Sequence, residues 1–265
     1  VCGDNTRQEA LLDGAGDWPP QTAEHALLLS AMLSVQDELD AALRTLARAQ
    51  LPAEPAATIM RLRIAAQRVL LHERNNRLDA AREALRQLPI DALDALPAQA
   101  EQARAEGWRA HAAMAMRAGE AAVAATLQAR ALASASDDES RAGAAFGLAS
   151  ALDRQGRYAE AWQALQQAHS AQREIARHVV PELLATDSRP LQVSAERVGR
   201  DEHARWRPLA APDSRHSPVF VVGFPRSGTT LLEQMLDAHP DFRSMDERAH
   251  VHDLIEAMPL VGQRY

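Results

Sequence analysis

The sequence predicts a mainly α chain. A superhelix of α-α hairpins comes first, followed by the first strand, loop and helix of an incomplete α/β domain. Three observations predict this. A register of small and apolar residues recurs four times between residues 23 and 175. The stretch SPVFVVGFPRSGTTLLEQMLDAHPDF, residues 217–242, reads as a buried strand, a glycine loop and a helix start. Between them, residues 176–216 lose the helical period and are broken by prolines and charges.

Composition supports helix and narrows the function. Apolar residues make up 46% of the 265 positions, but aromatics only 4%, so the core must be built from Ala and Leu. Ala, Leu, Gln and Arg are strong helix formers. The net charge of −7 argues against nucleic-acid binding, which needs a basic excess to neutralise phosphates. Cys2 is the single cysteine, so no internal disulfide can form, and a reducing, cytoplasmic setting is expected. No apolar run reaches the length of a membrane span, about 18 residues. The sequence starts at Val1, so a leader cannot be judged from it.

Taken in order, residues 1–22 read as a partial repeat or cap ending in GDWPP. The repeats follow over 23–175. DELDAALRTLARA (37–49), NRLDAAREALRQL (76–88), GEAAVAATLQARA (119–131) and GRYAEAWQALQQA (156–168) align in one register. Each opens on a turn-type residue and carries a small alanine five positions on: Ala42, Ala81, Ala124 and Ala161. Another helical stretch precedes each. In the last unit Leu148, Ala149 and Leu152 form one face, Gly156 breaks the helix, and Tyr158, Ala161, Leu165 and Ala168 form the facing stripe. Small residues let paired helices approach closely. A single hairpin cannot bury its face, so the units must stack.

This pattern resembles the tetratricopeptide repeat, in four imperfect copies. Trp108 stands in the third unit where that family often has an aromatic. An ordinary bundle of alanine-rich hairpins is the alternative. The resemblance implies a groove that takes a protein or peptide partner.

Residues 176–216 read as a connector, and 217–265 as the start of a second domain. VFVV, 219–222, is apolar and β-branched or aromatic, as in a strand covered on both faces of a parallel sheet. Gly223-Phe224-Pro225-Arg226-Ser227-Gly228-Thr229-Thr230 then leads into a helix with Leu231, Leu232, Met235 and Leu236 on one face, ended by Pro240. Glycines let backbone N–H groups converge, and a helix N-terminus adds partial positive charge, so this loop is built for an anion. Its two glycines keep the spacing of the nucleotide-triphosphate loop. Thr229 stands where that loop has the lysine that reaches the outer phosphates, so ATP and GTP are poor fits.

PRSGTT after a buried strand resembles the 5′-phosphosulfate loop of sulfotransferases. LDAHPDFRSMDER, 236–248, is similar to the segment that follows it in tyrosylprotein sulfotransferases, and in bacterial proteins that join tetratricopeptide repeats to a sulfotransferase domain. The specific resemblance covers residues 217–247. It implies a P-loop-type α/β sulfotransferase domain and transfer from 3′-phosphoadenosine 5′-phosphosulfate to a hydroxyl, protein tyrosine above carbohydrate or small molecule. By alignment Glu247, second of the pair Asp246-Glu247, is the general base. Arg226 stabilises the transferring group, and Pro225, Arg226, Ser227, Gly228, Thr229 and Thr230 hold the donor. The donor's 3′-phosphate site is expected beyond Tyr265, so the chain reads as a fragment with no activity of its own.

No metal is expected. His250 and His252 are two residues apart and would face away from each other on a helix. Another P-loop class, or an interaction module with a decayed loop, remains the alternative. Oligomeric state is not legible from the sequence.

Overall fold

The computed structural model describes residues 11–185, 199–205, 213, 217, 219–224 and 227–244. They fall into two units, 1–193 and 194–265, each taken by itself.

The first unit is a run of helices in pairs. The pairs are α1 (Ala23–Val35) with α2 (Leu39–Ala47), and α3 (Ala56–Arg74) with α4 (Leu78–Arg86). After the short α5 (Ile90–Asp94) come α6 (Glu101–Arg117) with α7 (Ala121–Ala133), and α8 (Asp138–Asp153) with α9 (Tyr158–Val179). Helix starts carry side-chain caps where the sequence offers them. Asp137 Oδ1 accepts the Ser140 N–H at 2.7 Å, and Thr22 accepts that of His25. The α9 helix runs into the predicted connector. Among the described residues no strand forms; one isolated parallel bridge joins Thr22 and Gln50.

The four turns inside the pairs are alike. Asp37, Asn76, Gly119 and Gly156 all have positive φ, between 56° and 81°. The next residues, Glu38, Arg77, Glu120 and Arg157, share φ near −85° and ψ near 60°. Their N–H groups reach back five residues, to Leu33, His72, Ala115 and Leu152, at 2.8–3.0 Å. This is the Schellman closure, which satisfies helix-end carbonyls by turning one residue left-handed. Two of the four left-handed positions are glycine. The other two are Asp and Asn, the side-chain types that best tolerate that region.

The packing follows the same register. Ala42, Ala81, Ala124 and Ala161, each five residues after the left-handed one, are all buried. First helices of successive pairs touch: α1 with α3, α3 with α6, and α6 with α8. One core runs from Leu62 to Ala164, and a smaller one joins Leu12, Ala15, Leu29, Leu33, Ala42 and Leu71. The segment before α1 thus lies on the first pair, and a Cβ at Gly16 would come within 2.6 Å of Ala41 Cβ. Arg63 of α3 donates to both carboxylate oxygens of Glu106 on α6, at 2.7 and 2.8 Å. That bond, set against the cost of burial, holds the guanidinium above its ordinary pKa.

One stripe differs from the sequence expectation. The sequence pattern places Tyr158 on the facing stripe of α9, but it is 69% exposed. The buried positions are Ala161, Ala164, Ala168 and Ala171. Tyr158 is the first residue of the helix, and the stripe of small residues begins one turn later.

Near the end of α3, His72 is buried and its Nδ1 has no hydrogen-bond partner. Burial, then the charges of Arg68 and Arg77, push its pKa below the ordinary value. The unfolded chain therefore binds this proton first. Stability is unaffected above about pH 6.5 and falls as the pH drops below it, by at most about 1.4 kcal/mol per unit for one proton. Denaturant titrations between pH 5 and 7.5 should show a shallower acid loss for His72→Phe than for the native chain. Parallel curves would remove His72 as the cause.

In the second unit, one helical turn, α10 (Arg200–His203), precedes the loop region and α11 (Thr229–Asp237). Residues 219–222 do not form the expected covered strand. Val219, Phe220 and Val222 are exposed, and no described residue pairs with their backbone. A strand needs a hydrogen-bonded neighbour, and β-type composition alone cannot supply one.

Candidate functional site

The loop between 222 and 229 is shaped by its two glycines. Gly228 has φ of +90° and sits at the N-cap of α11, so the chain enters the helix from a left-handed residue. A Cβ on Gly223 would lie 2.6 Å from Ser227 Oγ and 2.8 Å from Thr229 Cγ2. The loop therefore closes on itself at Gly223, and any side chain there would push Ser227 and Thr229 away. The Ser227 N–H donates to the Phe224 carbonyl at 3.1 Å, and the Leu232 N–H starts the helix ladder on Gly228.

Four of the expected donor-binding residues are described: Ser227, Gly228, Thr229 and Thr230. Ser227 and Thr230 are exposed and Thr229 is half-buried. They converge on the start of a nine-residue helix with no acid in its first turn. Its first N–H groups lack intrahelical acceptors, and its dipole puts partial positive charge there. The arrangement can hold an oxyanion among N–H and O–H donors. Pro225, Arg226 and Glu247 lie outside the described residues.

The far end of α11 holds contacts that sequence reasoning missed. After Asp237 the chain turns. The Asp241 N–H donates to His239 Nδ1 at 3.2 Å, and the Phe242 ring meets the His239 ring edge-on, with centroids 5.5 Å apart. Ser244 then comes back beside the helix. Its N–H donates to Asp237 Oδ1 at 2.6 Å, and its hydroxyl donates to the Glu233 carboxylate. Pro240 signals a stop in the sequence, but not the direction the chain takes afterwards.

The apolar side of α11 is open. Leu231, Leu232 and Met235 are exposed, and Leu236 is half-buried.

The hairpin unit has a groove of about 550 Å³ where α3, α6, α7 and α8 meet, lined by Glu73, Met116, Arg117, Gln128, Ser150 and Arg154 among others. Arg117 Nε is paired with Glu73 at 2.5 Å. Gln128 is buried across Gly147, where a Cβ would lie 2.5 Å from its Cδ, and Gln128 Oε1 has no partner.

Among the described residues no group of three His, Cys, Asp or Glu could hold a metal ion, and no helix is long and apolar enough to cross a membrane. His250, His252 and Asp253 lie outside them.

Comparison with known proteins bears on the loop segment. No solved structure gives a significant match. Human protein-tyrosine sulfotransferase 1 is 62% identical over 29 residues, 11% of this chain and 8% of the human protein. The zebrafish protein of the same name matches to the same extent. Protein-tyrosine sulfotransferase A of Caenorhabditis elegans is 57% identical over 35 residues, 13% of this chain and 9% of that protein. The chain thus spans less than a tenth of the length of these relatives. Residues 218–263 match the family described as Sulfotransferase family, so the chain carries a segment of a sulfotransferase-family domain.

Proposed function

We propose that residues 217–265 begin a sulfotransferase domain. It would transfer a sulfuryl group from 3′-phosphoadenosine 5′-phosphosulfate to a hydroxyl, with protein tyrosine as the favoured acceptor. The observation that carries this reading is the closure of the loop at Gly223. Ser227 and Thr229 fold onto it, and Gly228 opens α11 as a cradle of N–H and hydroxyl donors. The family match over residues 218–263 supports sulfuryl transfer as the chemistry. Thr229 stands where a triphosphate loop needs lysine, which disfavours ATP and GTP.

In this reading the N–H groups at the start of α11, with Ser227, Thr229 and Thr230, hold the 5′-phosphosulfate. The acceptor oxygen bonds to sulfur as the bond from sulfur to the phosphate oxygen breaks, releasing 3′-phosphoadenosine 5′-phosphate. Arg226 stabilises charge on the transferring group and the leaving oxygen. Glu247 takes the acceptor's proton. A carboxylate pKa of about 4.3 lies far below a phenol's value of about 10, so this transfer must come late or from a Glu with a raised pKa. No step requires a metal.

The hairpin array is proposed as a tetratricopeptide-like superhelix of the bacterial repeat-bearing type. Its groove at Arg117, Gln128, Ser150 and Arg154 would take a protein or peptide, and a cytoplasmic setting fits the single cysteine. The same groove favours a second reading, an interaction module with a non-functional loop.

Calorimetry on the full-length protein tests the first reading. 3′-Phosphoadenosine 5′-phosphate should bind and ATP should not. ATP binding of equal strength would overturn it. Peptide binding that survives deletion of 217–265, with neither nucleotide bound, would favour the module.

A further inference from the structure

The groove among α3, α6, α7 and α8 follows the same register as the turns. Arg117 and Arg154 line it two residues before the left-handed Gly119 and Gly156, and Ala113 and Ser150 line it six before. The same offsets from Asn76 and Asp37 fall on Arg74 and Leu70 of α3, then on Val35 and Ala31 of α1. First helices of successive pairs touch, so these positions form one face across four helices.

The chemistry of that face changes along the array. Arg74, Arg117 and Arg154 make a row of three cations. At α1 the row gives way to Val35, 74% exposed, with Leu28 two turns earlier at 62% and the exposed Ala31 between them. Arg117 is held by both the carboxylate and the carbonyl of Glu73. Arg154 gives one long bond, 3.4 Å, to the Met116 carbonyl, and Arg74 gives none; neither has a carboxylate partner among the described residues. On the same helices Arg63 and Glu106 are closed on each other. A cation near a helix C-terminus steadies the dipole. That accounts for three arginines, but not for an open apolar patch at the fourth place.

We propose that this face binds an acidic peptide segment with one apolar anchor. Its carboxylates meet Arg154 and Arg74, and the anchor covers Leu28 and Val35. The proposal rests on the reading of the groove as a peptide site and gives that peptide its chemistry. Two unengaged guanidinium forks suit carboxylates, which they can grip through paired bonds. The spacing is set by the helices. Packed helices lie about 8–10 Å apart, so Arg74 and Arg154, two helices apart, are separated by roughly 16–20 Å. A polyproline-type chain turns every three residues and rises about 3.1 Å per residue, so side chains six apart share a face at about 19 Å. The anchor, one helix further on, falls about three residues beyond the acid at Arg74.

Fluorescence anisotropy on the full-length protein tests this with labelled peptides of about ten residues, the length set by that spacing. The probe carries leucine at its first position, aspartate at its fourth and tenth, and proline and glutamine between, and is made in both chain directions. Its counterparts carry asparagine or lysine for aspartate, or serine for leucine. The acidic probe should bind, and more weakly as salt rises. The asparagine and serine counterparts should each bind about tenfold more weakly or worse. Arg74→Glu and Arg154→Glu should each weaken the acidic probe at least tenfold. Arg74 holds no bond among the described residues, so Arg74→Glu should leave the denaturant midpoint unchanged. Val35→Ser should weaken every leucine-bearing peptide alike, leaving the preference for acid intact. If the asparagine or lysine counterpart binds as well as the acidic probe, the charge assignment is overturned while the groove remains a peptide site. If the acidic probe is preferred but Arg74→Glu binds it unchanged, the placement is overturned. If no peptide of any charge binds, the groove reading fails and the proposal with it.

Discussion

Under the proposed sulfotransferase function, Arg226→Ala should cut sulfuryl transfer by the full-length protein about 10²–10³-fold, the usual cost of removing one donor aimed at developing charge. Arg226 stands between Pro225 and Ser227 in a loop without lysine. The start of α11 provides partial charges, while the leaving phosphate and the sulfuryl group develop a full one. A forked guanidinium answers that with two parallel donors, which an ammonium cannot. Arg226→Lys should therefore recover only part of the loss. The loss should fall mainly on kcat, because the charge grows in the transition state. Steady-state assays with the donor varied would check this. Activity unchanged in Arg226→Ala would remove Arg226 from the mechanism, and a pure rise in donor KM would make it a binding residue only.

The second large effect concerns stability. Leu93→Ala should destabilise the hairpin unit by about 3 kcal/mol, within the range for emptying a fully buried leucine site. Leu93 is completely buried in α5, and its methyls rest on Gly107 of α6, where a Cβ would come within 2.5 Å of them. Next to Gly107 stands Trp108, itself buried, with the Arg130 guanidinium 4.1 Å from its ring centre. The five-residue α5 has too few residues to hold itself helical, so the plug at Leu93 fixes both α5 and its neighbour. Denaturant midpoints of the native chain and Leu93→Ala give the difference directly. A loss below about 1 kcal/mol would mean that the site collapses around the gap. Gly107→Ala probes the same contact from the other side and should cost about 1–3 kcal/mol by overpacking.

The four-fold register was legible because close helix approach has one cheap solution. Ala42, Ala81, Ala124 and Ala161 must be small wherever a second helix crosses, and small residues at a fixed offset from a turn stand out in a sequence. The left-handed turns were half legible. Gly119 and Gly156 announce themselves, while Asp37 and Asn76 read only as polar, since their conformation is set by the helix they end. Helix α5 escaped notice because five residues between Pro89 and Pro97 carry no period. Tyr158 was misplaced because periodicity cannot say where along a helix its cover begins. In the second unit the left-handed Gly228 ahead of α11 could be expected from the glycine spacing before a helical run. The return to Ser244 could not, because it depends on side-chain bonds seven and eleven residues long. The strand at 219–222 failed for a related reason: pairing belongs to two segments, and one sequence run shows only its half.

The recurring turn has a consequence for how the molecule tolerates change. Left-handed residues fall at 37, 76, 119 and 156, at uneven intervals of 39, 43 and 37. The step from each to its buried alanine never varies. The longest interval holds the extra helix α5, and the helices on either side of a turn vary in length, from 13 to 19 residues before it, so length is absorbed away from the turn and its alanine. Each pair leans chiefly on its neighbours, so the array should fray from an end rather than melt at once. Evolution can lengthen or shorten such a chain one pair at a time, provided the cut falls in a linker.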